Sequence, residues 1–141
     1  MTTINPYLTF DGNCEEAFNF YRSVFGGDFE YLGRFEEMTQ YPIPESEQHK
    51  IMHVTLPITK ETVLMGSDTS QAFGQSNVAG NNFSLSINAE SETEANSICE
   101  SLSEGGKITK PMRKTFWGAY NGKVRDKYGV QWMINYDYNK N

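Results

Sequence analysis

The sequence predicts an α+β protein made of two tandem βαβββ modules. Three observations carry that expectation. Residues 7–27, YLTFDGNCEEAFNFYRSVFGG, read as an apolar-alternating segment, a turn, a helix and a Gly-Gly stop. Residues 84–106, SLSINAESETEANSICESLSEGG, repeat the same order more loosely. Each copy is followed by further stretches of strand character, so one supersecondary unit is used twice. At 141 residues the chain has the length of one ordinary domain, and each half is too short to build a generous core alone. The expected division is a first module over about residues 1–67, a linker at 68–80 and a second module over about 81–138.

In the first module, Ile4 to Phe10 alternates as a strand and Asp11-Gly12 turns it. Asn13 stands where it can cap the following helix, with Glu16 completing a capping box. Ala17, Tyr21 and Val24 share one helical face, with Phe18 and Phe25 beside them. Gly26 supplies the left-handed residue that ends the helix. Phe29 to Phe35 predicts a second strand. Residues 36–50, with Pro42 and Pro44 and no clear period, predict a long loop of the kind that forms a lid or stays disordered. Ile51 to Ile58 and Thr62 to Ser67 predict two more strands around a turn at Thr59 to Glu61. The run from Asp68 to Asn82, rich in Ser, Gly, Gln and Asn, predicts the linker. In the second module Phe83 to Ile87 is a strand. Ser91 and Glu94 form a capping box, and Ala95, Ile98, Cys99 and Leu102 line one face of the helix that Gly105 ends. Lys107 to Lys110, Phe116 to Arg125 and Val130 to Tyr136 predict the last three strands, with Asp126 to Gly129 as a hairpin turn.

The formal net charge of -6 argues against nucleic acid as a partner, because phosphate neutralisation needs a basic face. Lys107, Lys110, Arg113, Lys114, Lys123, Arg125 and Lys127 make the C-terminal quarter locally basic, but they are dispersed among strand signals. No apolar run approaches the roughly 18–20 residues of a membrane span. The N-terminal residues lack the basic and apolar regions of a signal peptide, which predicts a cytoplasmic protein. In that compartment Cys14 and Cys99 are expected to be free thiols.

Several of these stretches together resemble one known family. FYRSVFGG at the first helix end, IMHVTL with VLMGSD, FSLSI, LSEGGKI and the ending FWGAYNGKVRDKYGVQWMI are similar to the PhnB-like branch of the glyoxalase/bleomycin resistance/dioxygenase, or vicinal oxygen chelate, superfamily. The resemblance covers nearly the whole chain. It implies that the two modules form a curved mixed sheet around a cavity, and that the protein is a homodimer. Some PhnB-like sequences carry the label 3-demethylubiquinone-9 3-methyltransferase. In metal-using members, His or Glu side chains point into the cavity from the first and last strands of each module. The matching positions here are Pro6, Met65, Asn82 and Met133. Proline offers no side-chain ligand, and thioethers do not suit the hard cations of that superfamily. A register error of one residue brings in no His or Glu. The sequence therefore predicts no metal and no cofactor.

His49 and His53 are four apart, a zinc spacing on a helix. On the predicted strand the same separation is roughly 13 Å, too far to share an ion. His53 is expected to point toward the cavity with Ile51 and Thr55, while Met52, Val54 and Leu56 pack on the helix. It is either a ligand-binding or basic imidazole or a hydrogen-bonded structural one. Trp117 is either a flat wall for an aromatic ligand or core. Trp132, pointing away from Met133, is expected in the core. Asp126 is read as turn chemistry and Asp68 as a cap on its strand end. Met65 and Met133 would give an adaptable apolar lining. The resulting expectation is a metal-free protein that binds a small apolar or aromatic molecule through His53, Met65, Asn82, Trp117 and Met133. The alternatives are an enzyme of the superfamily, the methyltransferase of the label, and a non-catalytic interaction module.

Overall fold

The computed structural model describes residues 2–139, in two compact units, Met1–Val78 and Ala79–Asn141. The first contains β1 (Tyr7–Phe10), α1 (Cys14–Phe25), β2 (Tyr31–Arg34), β3 (Ile51–Pro57) and β4 (Val63–Asp68). The second contains β5 (Leu85–Asn88), α2 (Glu92–Ser103), β6 (Lys107–Lys114), β7 (Ala119–Arg125) and β8 (Gln131–Asp137). Each unit folds its strands into a four-stranded mixed sheet, ordered β1-β4-β3-β2 and β5-β8-β7-β6. In both, the first and last strands pair in parallel and the other neighbours are antiparallel. The βαβββ repeat is thus a repeat of topology, not only of order along the chain.

One face of each sheet is covered by its helix. Leu8, Phe10, Val54, Leu56 and Leu64 are buried from the first sheet, and Cys14, Ala17, Phe18 and Tyr21 from α1. Phe18 packs edge-on against Phe10 and Tyr21, at 6.1 and 5.6 Å between ring centroids. Gly66 of β4 makes room for that ring: a Cβ there would stand 2.6 Å from Phe18 and 2.8 Å from the Leu8 carbonyl. In the second unit Ala95, Cys99 and Leu102 of α2 meet Val124, Trp132 and Ile134. The Trp132 indole donates to Asp126 Oδ2 at 2.9 Å, while Asp126 Oδ1 accepts from the Tyr128 and Val130 amides. Asp126 therefore closes the hairpin and satisfies the buried indole together.

Several expectations are revised. The Asn13 side chain makes no capping bond. The cap comes from Asp68 at the end of β4, whose Oδ1 accepts from the Gly12 and Cys14 amides at 2.8 and 3.0 Å. Its Oδ2 accepts from the Ile51 amide at 2.8 Å. The linker starts later than its composition implied, because Asp68, Thr69 and Ser70 are buried in the first unit and Thr69 donates from its backbone to Phe10. The loop at 36–50 is not featureless. It holds short 3₁₀ turns at Phe35–Glu37 and Glu45–Glu47, and Glu47 is buried, bonded to Lys50 at 2.6 Å, the Ser70 hydroxyl at 2.9 Å and the Gln71 amide at 2.6 Å.

Three strands also differ from their sequence patterns. β6 runs on to Lys114 through Pro111, which an edge strand tolerates because no partner requires the missing N–H. Phe116 to Gly118 lie in the turn before β7, leaving Phe116 and Trp117 exposed and stacked edge-on at 4.9 Å. Trp117 is therefore not core. In β3 a bulge skips Met52, since Gly33 pairs with His53 and Arg34 with Ile51. Such an extra residue reverses the alternation beyond it. Ile51 thus turns inward and is buried, against the predicted facing, and Met52 lies with Tyr7 along a cleft.

Candidate functional site

The face of the first sheet opposite α1 gathers an aromatic and polar group around His53. Inward Leu8 and Phe10 leave Tyr7 outward on β1, and Tyr7 is in register with Met65 of β4, which is in register with Thr55 of β3. Thr55 in turn faces Tyr31 of β2. His53 precedes Thr55 by two residues and shares its side of the strand. Its Nε2 lies 2.9 Å from Thr55 Oγ1 and its Nδ1 3.2 Å from the Tyr7 hydroxyl. One tautomer has Tyr7 donating to Nδ1 and Nε2 donating to Thr55. The Tyr7 and Tyr31 rings stand 5.5 and 6.0 Å from the imidazole, and both tyrosines are close to half exposed. Gly33, opposite His53, permits this arrangement: a side chain there would collide with the Tyr31 ring. Next to Tyr7 opens a cleft of ≈ 290 Å³, lined among others by Phe35, Met38, Met52, Phe73 and Gln75.

Both imidazole nitrogens are engaged, so this face presents two half-exposed phenol rings and the remaining hydrogen-bonding capacity of the Tyr7 and Thr55 hydroxyls. Among the described contacts, no carboxylate orients His53, so it lacks the third member that turns a histidine into the base of a triad. The thiols add no nucleophile to it. Cys14 is fully buried in the core, and burial, with Asp68 and Glu15 near it, pushes its pKa far above the ordinary thiol range. Burial likewise raises Cys99.

Of the five residues predicted to bind a ligand, His53 and Met65 come together on this face. Asn82, Trp117 and Met133 belong to the second unit and do not form one group there. Met133 is central in β8, in register with Ser86 and Lys123. Asn82 is exposed ahead of β5, toward the Gln131 end of β8, whereas Trp117 stands in the turn at the Asp137 end. Tyr7, Tyr31 and Thr55 were missed as site residues. Their signal was the period of two in short strands that carry aromatic and hydroxyl groups on one side, but nothing local marked that side as shared.

The positions that hold metal in the superfamily do not fit one here. Pro6 contributes only a backbone carbonyl, already accepting from the Met65 amide at 3.1 Å. Met65 and Met133 present thioethers, and Asn82 a lone amide. Among the described residues no three His, Cys, Asp or Glu side chains converge as a ligand set. The exposed His49 ring approaches Glu36 at 3.7 Å, apart from the His53 cluster. No described helix is long and apolar enough to cross a membrane.

Two βαβββ units define the class first. The glyoxylase/bleomycin resistance protein/dioxygenase domain from Frankia sp. EAN1pec shares the fold, with a TM-score of 0.66 over 97% of this chain and 98% of that one at 13% identity. Within that class, the chain belongs to the PhnB-like family described as 3-demethylubiquinone-9 3-methyltransferase, which it matches over residues 2–135. It is 30% identical to Protein YjdN of Escherichia coli (strain K12), over 94% of this chain and 93% of that protein. Protein PA1353 from Pseudomonas aeruginosa matches at 37% identity and a TM-score of 0.81, over 97% and 98% of the two chains. A PhnB protein from Bacillus cereus, named as a putative 3-demethylubiquinone-9 3-methyltransferase, matches at 25% identity and 0.76, over 96% and 99%.

Proposed function

We propose that the protein binds a small aromatic or apolar molecule, without a metal or cofactor, at the Tyr7–Tyr31–His53 face of its first unit. The observation that carries this reading is the imidazole bonded through both nitrogens and flanked by two half-exposed phenols. Met65 and the neighbouring cleft supply adaptable apolar surface for the rest of the ligand. The protein is proposed to act in the cytoplasm as a homodimer, which sedimentation measurements would test.

The test is a thermal-shift screen of aromatic and quinone-like compounds against the protein and its Tyr7→Phe and His53→Gln variants. At least one class should stabilise the parent, with about tenfold weaker binding in the variants, since Tyr7→Phe removes a hydroxyl and His53→Gln removes the ring that positions it. A hit that binds both variants as tightly as the parent would remove the site.

Methyl transfer is the competing reading, and the family description favours it. The strand-to-helix turn after β1 reads Asp11-Gly12-Asn13, without the glycine pattern of nucleotide-type cofactor sites. Its Gly12 and Cys14 amides are already committed to Asp68. Calorimetry with S-adenosylmethionine is expected to show no binding; measurable heat with a stoichiometry near one would restore the methyltransferase.

A further inference from the structure

The second unit carries a charged face that the ligand site above does not use. Strand pairing sorts its side chains. Val124, Trp132 and Ile134 are buried on the α2 side, and Tyr120 donates to Asn96 of α2 at 2.7 Å. Lys123 and Arg125 of β7 therefore point to the opposite face, directly across from Lys110 and Lys107 of β6. Arg113, across from Asn121, extends the row. Beside it, Met133 and Gln131 of β8 adjoin Lys123 and Arg125. The amides of Asn121, Asn135 and Asn88 follow one another at 3.5 Å across β7, β8 and β5.

Two like-charged pairs facing each other across neighbouring strands are unfavourable. Nothing within the described residues offsets them: Lys107, Lys110, Arg113, Lys123 and Arg125 have no ion pair and no side-chain hydrogen bond. The acidic residues lie elsewhere. Glu92, Glu94 and Glu100 are on α2 and Glu90 and Glu104 at its two ends, Asp126 is buried beside Trp132, and Asp137 is at the far end of the face, opposite Ala119. Protection of an exposed sheet edge accounts for lysines on β6. It does not account for Lys123 and Arg125, because β7 is an interior strand.

We propose that this face is a binding site for a small anion of the carboxylate or phosphate-ester type. Lys110 and Lys123 hold the anionic group, with Lys107 and Arg125 as the second cationic pair. Met133 and the asparagine row receive the uncharged remainder of the ligand. The cationic pairs span two neighbouring strands, roughly 5 Å apart, which matches one anionic group. A long polyanion would also meet a chain of net charge -6, whose repulsion acts beyond that patch.

Inorganic phosphate and benzoate are the probes, titrated by calorimetry at fixed ionic strength set with sodium chloride. Lys110→Gln/Lys123→Gln and Lys110→Arg/Lys123→Arg double variants are compared with the parent. Binding of at least one probe should weaken about tenfold or more in the glutamine variant and stay within about threefold in the arginine variant. The unliganded glutamine variant should melt no lower than the parent, since a repulsive pair has gone. Amide chemical shifts of the parent during titration should move at residues 107–125, a readout that holds even if a variant misfolds. Heats no larger than those of chloride, or affinity unchanged in the glutamine variant, would overturn the site. So would tighter binding of a short oligonucleotide through the same lysines, or a sedimentation change in the glutamine variant, which would make the face an interface between copies.

Discussion

Asp68 does the work that the sequence assigned to Asn13. One carboxylate accepts three backbone amides, from the first turn of α1, from the turn before it and from the start of β3. Removing it leaves the buried Cys14 and Ile51 amides without partners, each costing about 1–3 kcal/mol. Asp68→Ala should therefore destabilise the protein by about 3 kcal/mol or more in urea unfolding, whereas Asn13→Ala should cost less than about 0.5 kcal/mol. Gly66→Ala tests the neighbouring contact between β4 and the Phe18 ring, and should cost about 1–3 kcal/mol by overpacking. The buried Cys14 thiol, with its raised pKa, should resist Ellman's reagent until the chain is unfolded. Sequence reading placed Trp132 in the core, where it is buried, and named His53 and Met65, which strand pairing sets on one face of the first sheet. It could not see the Asp68 cap, because donor and acceptor lie 54 positions apart and no local pattern joins them. Tyr7 and Tyr31 were hidden for the same reason: only strand pairing brings them beside His53.

At the scale of elements, the segment between β2 and β3 is held at its end. Glu47 lies under Lys50, Ser70 and Gln71, and Lys50 also donates to the Thr69 carbonyl. The Lys50 ammonium, aided by the Gln71 amide and Ser70 hydroxyl, holds the Glu47 carboxyl below the usual range. Arg34 does the same for Glu15, tying β2 to α1 through two contacts of 2.7 and 3.0 Å. A carboxyl whose folded pKa is depressed contributes stability above its unfolded value, near 4.3, and loses it as pH falls through the folded value. Lys50 is raised, so its contribution persists to about pH 10.4 and disappears only above that. Stability should thus be level through neutral pH and fall below about pH 4.3, and Glu47→Gln should flatten part of the acid limb in urea titrations. Proteolysis of that variant should shift to residues 36–50. Both helices and the eight strands were legible from period, and α2 also from its Ser91 cap. The bulge at Met52 was not, since a single extra residue leaves no mark in a strand rich in apolar side chains.

At the scale of the whole molecule, the repeat was the most legible feature, because two strand-turn-helix-Gly-Gly units advertise one supersecondary plan. Its metal chemistry was legible only as a mismatch: a proline, two thioethers and an amide stand at the ligand positions of the superfamily. The expected outcome is that purified protein contains no stoichiometric divalent metal by elemental analysis, and that EDTA leaves its melting temperature unchanged. A cation at one equivalent, with a melting temperature that falls on chelation, would contradict the proposal. The linker was misjudged at its start, where Ser and Thr served as buried hydrogen-bonding groups instead of solvated spacer.

The parallel pairing of β1 with β4, and of β5 with β8, bears on how the chain is made. The strand that leaves the ribosome first in each unit waits for the one that leaves last before it gains a hydrogen-bonded neighbour. Until residue 68 has emerged, α1 also lacks the carboxylate that caps it. The first unit should therefore form late and all at once in a nascent chain, and protease resistance of stalled fragments should rise abruptly once β4 clears the exit tunnel.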